Sequence, residues 1–241
     1  MQTDGNRLCR LLARTLLTAF LLTTAMAGYA QQTPDDYYRA EFVILERIID
    51  PDAVNERMVN QKVAAPTNTN KDLYSVTGDG NVISSLKLQP RSQLHLGSAA
   101  NRLEASGRYR VLMSAGWYEA FPPNYKGQPL RVEIGDWLAQ AGQREIEGHI
   151  TIDRQRYLHV AVHLNHWQEA SVAASPIAQG NPDQASDSST AANAELAIKP
   201  DIPLELLTWI RETRRMRSEE IHFLDSPTIG VLVFFRKIEA N

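Results

Sequence analysis

The chain has 241 residues, of which 43% are apolar and 22% charged, with a formal net charge of -3. This globular composition excludes collagen-like, wholly disordered and multi-span membrane proteins. Residues 1–30 contain three basic side chains and one acidic, which leaves 22 basic and 27 acidic side chains in the rest. No basic excess is available to attract nucleic acid. Cys9 is the only cysteine, so a disulfide framework and a cysteine-ligated metal are excluded as well.

The first thirty residues have the three parts of a secretory signal. Three arginines precede an uncharged stretch, residues 15–27, which ends in small residues. This stretch of 13 residues is short for a bilayer, which needs about 20. We predict a signal peptide over residues 1–30, cleavage after Ala30, and an exported chain without membrane insertion. A retained membrane anchor is the alternative.

The next part of the chain predicts a sheet with a helix on one face. Residues 37–48 (YYRAEFVILERI) are rich in aromatic and β-branched residues, and their middle is apolar on both sides, which indicates an interior strand. Residues 50–90 indicate mostly loop, with one short strand at Val82-Ile83. Leu96, Ala99 and Leu103 have helical spacing before a stop at Ser106-Gly107, and residues 109–117 (YRVLMSAGW) return to strand character.

The clearest periodicity predicts a β-hairpin. Apolar and polar residues alternate over residues 146–153 and again over residues 157–165, on either side of a short polar turn. Such a hairpin has one buried and one wet face. If the turn pairs Asp153 with Tyr157, Glu147 lies opposite His163.

Residues 168–200 are predicted to be a disordered insertion. They are rich in Ala, Ser, Asn, Gln, Asp and Pro, and too poor in bulky apolar residues to offset the entropy of ordering. Strands follow at residues 204–217, 221–224 and 230–235, the last apolar on both faces and therefore central. The fold class is α+β: one domain over residues 31–241, with an antiparallel-dominated sheet of at least seven strands and one or two helices packed on a face.

Three histidines have a spacing that would suit a metal on a helix, H-x3-H-x2-H. They are His159, His163 and His166. On a strand the first two lie about 13 Å apart, and the third faces the opposite way. We therefore expect solvent-facing histidines at the first two positions, no metal site and no cofactor.

The sequence contains one candidate pair of catalytic carboxylates. The chain has no Gly-x-Ser-x-Gly elbow, and Thr77–Asn81 is a turn without the lysine of a phosphate-binding loop. Glu145 and Glu147 are two apart at the start of a strand, where they could share a wet face as a glycan-cleaving pair. The alternative is two solvated charges, and we expect the protein not to be an enzyme.

One strand predicts a ligand-binding face. In residues 206–217, one indole and three guanidiniums share one side, where they could stack on sugar rings and bind carboxylates. The competing interpretation is that Glu219, Glu220 and Asp225 neutralise these arginines, with Arg214 as a buried ion-pair partner. The candidate binding residues are Trp209, Arg211, Arg215, Arg217 and His222.

Several segments together resemble the CsiV family of exported proteobacterial proteins. They are residues 214–235 (RRMRSEEIHFLDSPTIGVLVFF), residues 145–164 (EIEGHITIDRQRYLHVAVHL), the opening strand and YRVLMSAGW. The resemblance implies peptidoglycan binding in the periplasm. It also implies support of a class A penicillin-binding protein through that synthase's outer-membrane lipoprotein activator. It carries over no binding residues.

The sequence and the resemblance leave three functions open. The first is a non-enzymatic periplasmic protein that binds peptidoglycan and regulates a synthase. The second is a protein-interaction scaffold without glycan affinity. The third is a cell-wall hydrolase that uses the region of Glu145 and Glu147.

Overall fold

Ten strands and one α-helix make up the regular structure of the described residues, which are 36–50, 54, 69–169 and 204–239 of a computed structural model. A single 3₁₀ turn, Arg91–Gln93, precedes the helix. In chain order the elements are β1 (Tyr37–Arg47), β2 (Lys71–Val76), β3 (Val82–Ile83), α1 (Gly97–Ala105), β4 (Tyr109–Ala120), β5 (Leu130–Leu138), β6 (Gln143–Arg154), β7 (Leu158–Glu169), β8 (Leu204–Arg215), β9 (His222–Asp225) and β10 (Ile229–Lys237).

The strands form two sheets where the sequence predicted one. A four-stranded sheet has the order β4-β1-β10-β9, and a six-stranded sheet has the order β3-β2-β5-β6-β7-β8. Only the β2–β5 pair is parallel, so the antiparallel character is confirmed. Alternation along a strand tells which of its faces is buried but not which strands are its neighbours, and this is why one sheet was expected.

The main core lies between the two sheets. Phe42, Trp117 and Phe235 of the smaller sheet and Ile150 and Val162 of the larger one belong to a single buried cluster. The rings of Phe42 and Trp117 stack with centroids 5.6 Å apart. Each such side chain contributes roughly 1.5–3 kcal/mol by leaving water. The described residues between 36 and 238 form one compact unit around this core.

A second, smaller cluster lies on the other side of the four-stranded sheet. Leu96 and Ala100, from the start of α1, pack there against apolar side chains of β1 and β10, among them Val43 and Phe234. Both strands are therefore apolar on both faces and lie inside the sheet, as predicted. The layers are helix, smaller sheet and larger sheet, and no helix of the described residues covers the outside of the larger sheet.

Both ends of α1 have identifiable stabilising contacts. The fully buried carboxylate of Glu41 accepts the backbone N–H groups of His95 and Leu96, at 3.0 and 2.9 Å, just before the helix begins. A negative charge there is also favoured by the helix dipole. At the other end Gly107 takes the left-handed conformation (φ 69°), which confirms the predicted stop.

The predicted hairpin is β6 and β7, with a different register. Asp153 pairs with His159, and not with Tyr157, so the turn lies one residue further along the chain than expected. Glu147 consequently lies opposite Asn165, and the expected pairing with His163 was wrong. A shift of two residues keeps the same side chains on the same face, so the alternation alone could not fix this register.

Two strands were not predicted, and one predicted boundary was wrong. The first, β2, lies in a segment that was expected to be mostly loop, and the second, β5, was not identified at all. Gln168 and Glu169 belong to β7, so they are not part of an insertion. The rest of the predicted insertion, and residues 1–30, lie outside the described residues. Within the described ranges, no helix is both long and apolar enough to span a bilayer.

Candidate functional site

The face of the larger sheet that no other described element covers carries the predicted indole and two of the predicted arginines. In the pairing of β7 with β8, Asn165 lies opposite Trp209, His163 opposite Arg211, and His159 opposite Arg215. The alternate positions of β8, such as Thr208 and Ile210, are buried. Trp209, Arg211 and Arg215 therefore share the outward side, as their spacing predicted.

A chain of side-chain contacts orients the indole and the guanidinium. The Arg211 guanidinium lies 5.1 Å from the centre of the Trp209 ring, and its Nη2 donates to Asn165 Oδ1 at 2.7 Å. Asn165 Nδ2 and Trp167 Nε1 both donate to Glu147 Oε1, at 3.2 and 3.0 Å. We call these five residues the Trp–Arg face. Because each polar group is held by its neighbour, the face is preorganised for a ligand.

Two histidines continue this surface toward the middle of the sheet. The rings of His149 and His163 are 4.9 Å apart, and both side chains are partly buried. Burial, and then the positive charge of Arg211, lower the pKa of both rings below the usual value, and His163 adds to the effect at His149. At neutral pH these rings are uncharged, so they add aromatic rather than cationic surface.

The remaining predicted site residues lie away from the Trp–Arg face. Arg215 packs over the ring of Tyr157 at 4.7 Å, and six residues of strand separate it from Trp209, about 20 Å. Because β8 ends at Arg215, Arg217 lies in the following turn, where its backbone N–H donates to His222 Nε2 at 3.0 Å. The expectation that Arg217 and the indole share one strand face was wrong.

The acidic residues expected to neutralise the arginines mostly have other partners. Glu220 pairs with Arg217 at 3.5 Å, but Glu219 pairs with Arg236 and Asp225 with Arg47. Arg214 pairs with Glu212 and is about two-fifths exposed, so it is not the buried partner that was expected. Among the described residues, Arg211 and Arg215 have no carboxylate within ion-pair distance. Their charge is therefore available to a ligand.

A second site is a cavity of about 360 Å³ where side chains of the two sheets meet, here called the acidic cleft. Glu46 of β1 and Glu145 of β6 line it. Arg110 of β4 donates to both carboxylates, at 2.7 and 2.6 Å, and to Asp136 at 2.7 Å. The other lining residues are Arg47, Ile49, Trp137, Leu138, His166, Trp167, Gln168, Glu169, Leu207 and Thr228.

His166 enters the acidic cleft from β7. Its Nδ1 hydrogen-bonds Thr228 Oγ1 at 2.8 Å, and the side chain is buried. Burial and, to a smaller extent, the positive charge of Arg110 lower the pKa of His166 to about 4. Burial also raises the pKa of Glu145. One ring nitrogen of His166 and one oxygen each of Glu46 and Glu145 lie within 4.8 Å of one another.

The predicted pairing of Glu145 and Glu147 on one wet face was wrong. Glu147 lies on the Trp–Arg face, whereas Glu145 is buried against Arg110 in the acidic cleft. The neighbouring β5 is irregular beside Glu145, with a register shift between Ile134 and Trp137 and a φ of 84° at Gly135. A Cβ at Gly135 would lie 2.1 Å from Glu145 Oε1, so only glycine leaves room for this carboxylate.

Sequence reasoning found the Trp–Arg face in part and missed the acidic cleft. Asn165 and Trp167 were not singled out, although they follow His163 on the same side of the strand. The sequence signal for the acidic cleft is the position of His166, which faces the opposite side of the strand from His159 and His163. The bulge that buries Glu145 has only Gly135 as a signal.

Comparison with known families agrees with the resemblance seen in the sequence. The model of the family described as "Peptidoglycan-binding protein, CsiV" matches residues 12–238, nearly the whole chain. No curated protein and no solved structure gives a significant match. The family description names a binding function. With this match over almost its full length, the chain belongs to the CsiV family of peptidoglycan-binding proteins.

Proposed function

We propose that the protein binds peptidoglycan through the Trp–Arg face. The observation that carries this proposal is the guanidinium of Arg211, which lies beside the Trp209 ring on an uncovered sheet face with no carboxylate partner among the described residues. Indole rings supply a large flat surface with low entropy cost, which suits the flat side of a sugar ring. The guanidinium fork binds carboxylates, which are abundant in stem peptides.

The setting proposed for this binding is the periplasm. The basic, apolar and small-residue segments of residues 1–30 support export and removal of a signal peptide after Ala30. The family resemblance supports a role beside a class A penicillin-binding protein, reached through that synthase's outer-membrane lipoprotein activator. A protein held on the cell wall would keep such a partner close to its substrate by raising its effective concentration there.

The hydrolase alternative is weakened by the positions of its candidate carboxylates. A retaining pair needs its carboxyl groups about 5 Å apart, and an inverting pair about 6.5–9.5 Å, on either side of one bond. Glu147 hydrogen-bonds Trp167 and Asn165 on the Trp–Arg face, whereas Glu145 is ion-paired with Arg110 in the acidic cleft. The two groups therefore do not flank one shared opening.

Co-sedimentation of the purified protein with sacculi tests the proposal. We expect the protein to pellet with sacculi, to be released by an excess of soluble muropeptides, and to bind less tightly as salt screens Arg211. Failure to pellet at low salt would contradict peptidoglycan binding and favour the protein-interaction scaffold. Release of dye from labelled sacculi would instead identify a hydrolase.

A further inference from the structure

The acidic cleft holds more negative than positive charge. Glu46, Glu145 and Glu169 line it, and the guanidinium of Arg110, which pairs with the first two, is shared with the exposed Asp136. Arg47, which also lines the acidic cleft, is already paired with Asp225. His166 adds no positive charge at neutral pH. Buried charges are stable when they are paired, so this surplus favours a cationic ligand.

His166 provides an independent sign that a ligand belongs in the acidic cleft. Only 5% of this residue is exposed, and its Nδ1 is held by Thr228. Its Nε2 has no hydrogen-bond partner among the described residues. The hydroxyl group of Thr228 is in turn hydrogen-bonded to the hydroxyl group of Thr208, and these two groups hold the ring in place. Because His166 lines the acidic cleft, a hydrogen-bond donor bound there would give this ring nitrogen a partner.

The geometry of the acceptor atoms suits an ammonium group. The acceptors of Glu46, Glu145 and His166 lie within 4.8 Å of one another. Three hydrogen bonds of about 2.9 Å from one tetrahedral nitrogen reach acceptors about 4.7 Å apart.

The rest of the acidic cleft suits an organic ligand rather than a bare ion. Its volume of about 360 Å³ is that of a small-molecule site, and the indoles of Trp137 and Trp167 line it. Trp137 is 42% exposed, so its ring can contact a ligand. Arg47 lines the acidic cleft as well, so a carboxylate beside the ammonium would meet a guanidinium there.

We propose that the acidic cleft binds the free ammonium end of a peptidoglycan stem peptide, an inference that rests on the proposed function. Diamino-acid residues of stem peptides carry such a primary amine until it is consumed in a crosslink, and in diaminopimelate a carboxylate adjoins it. Glu46, Glu145 and His166 accept the three N–H groups, and Arg47 receives the carboxylate. The acidic cleft thus distinguishes uncrosslinked from crosslinked stem peptides, while the Trp–Arg face binds both.

Two soluble muropeptides test this inference on the unaltered protein. One is a disaccharide-tetrapeptide monomer with its free amine, and the other is the same molecule with that amine acetylated. Because hydrogen bonds to charged groups are strong, we expect acetylation to weaken binding about 10-fold to 100-fold. Equal affinities, with sacculi still bound, would overturn the inference and leave the proposed function standing. Absence of binding to both muropeptides and to sacculi would overturn both.

A pair of matched substitutions assigns the preference to the acidic cleft. Glu46→Gln keeps the shape of the side chain and removes its charge, and we expect the free amine to lose most of its advantage over the acetylated form. Glu104→Gln is the control, since Glu104 lies on α1 and pairs with Arg91. Melting temperatures show whether each variant is folded. If Glu46→Gln is not folded, the comparison of the two muropeptides on the unaltered protein decides whether the free amine is recognised. A zinc-dependent rise in melting temperature that Glu46→Gln abolishes, with equal muropeptide affinities, would overturn the inference in favour of a metal site.

Discussion

His166 and its neighbours on β7 show how one strand serves both candidate sites. His163 faces outward beside Arg211, and His166 faces inward against Glu145 and Glu46. The two environments differ because β7 has one wet and one covered side, and because its register against β8 shifts just after His166. That shift places Trp167 where it lines the acidic cleft and also donates to Glu147 on the Trp–Arg face.

The buried ring of His166 predicts a loss of stability in mild acid. Its pKa is about 4 in the folded protein and near 6.5 in the unfolded chain, so the unfolded state takes up a proton first as the pH falls. The free energy of unfolding should therefore decrease by about 2 kcal/mol between roughly pH 7 and about pH 4.5. His166→Gln should lack this component, as measured by urea unfolding at both pH values. A pH dependence identical in the two proteins would show that the ring is not buried in its neutral form.

At the residue scale, outward-facing positions were easier to predict than inward-facing ones. A strand period of two places Trp209, Arg211 and Arg215 on one side regardless of the surrounding fold. The acidic cleft depends on Arg110, Glu145 and His166, which come from three strands of two different sheets. No local pattern brings such residues together, so the acidic cleft was missed.

At the scale of the element, strands with strong patterns were predicted and short or mixed ones were not. The strand β10 has Val231, Val233 and Phe235 in the main core, with Leu232 and Phe234 toward α1, as expected from its unbroken apolar run. In contrast, β2 is six residues long and half of β5 is polar or exposed. These two strands are stabilised by their partners in the sheet, which the sequence does not reveal.

The packing of α1 on the smaller sheet predicts a large effect of Phe234→Ala. The Phe234 ring is 1% exposed and stacks on His95 with ring centroids 4.2 Å apart. Emptying such a site costs about 3–5 kcal/mol. Phe223→Ala is the matched control. Phe223 of β9 is 36% exposed, so its replacement should lower the free energy of unfolding much less. Denaturant unfolding gives both values, and a loss below about 1 kcal/mol at Phe234 would contradict the layered arrangement.

At the scale of the whole molecule, the ends of β7 and β8 predict that residues 172–198 are dispensable for folding. Glu169 pairs with Leu204 in the sheet, so the two strands already meet where the segment leaves and returns. A short connection can close such an antiparallel pair. We expect the deletion variant to unfold cooperatively with a nearly unchanged melting temperature. Loss of the cooperative transition would mean that the segment is part of the core.

Among the described residues, nothing covers the outer face of the larger sheet, whereas α1 packs on the outer face of the smaller sheet. The open surface carries the Trp–Arg face, which the sequence predicted in part, and the acidic cleft adjoins it at Trp167. A single sheet, as predicted, would not show which of its faces is free. Because the two sheets pack face to face, one side of the larger sheet lies against the core and the other side is left for a ligand.

The affinity of matched variants for sacculi tests whether the Trp–Arg face binds peptidoglycan. Trp209→Ala and Arg211→Ala remove the ring and the charge, whereas Arg217→Ala removes an exposed arginine paired with Glu220 in the turn. We predict that the first two weaken binding about 10-fold and that the third has little effect, with all three melting near the unaltered protein. Equal affinity of every folded variant for sacculi would contradict binding through the Trp–Arg face.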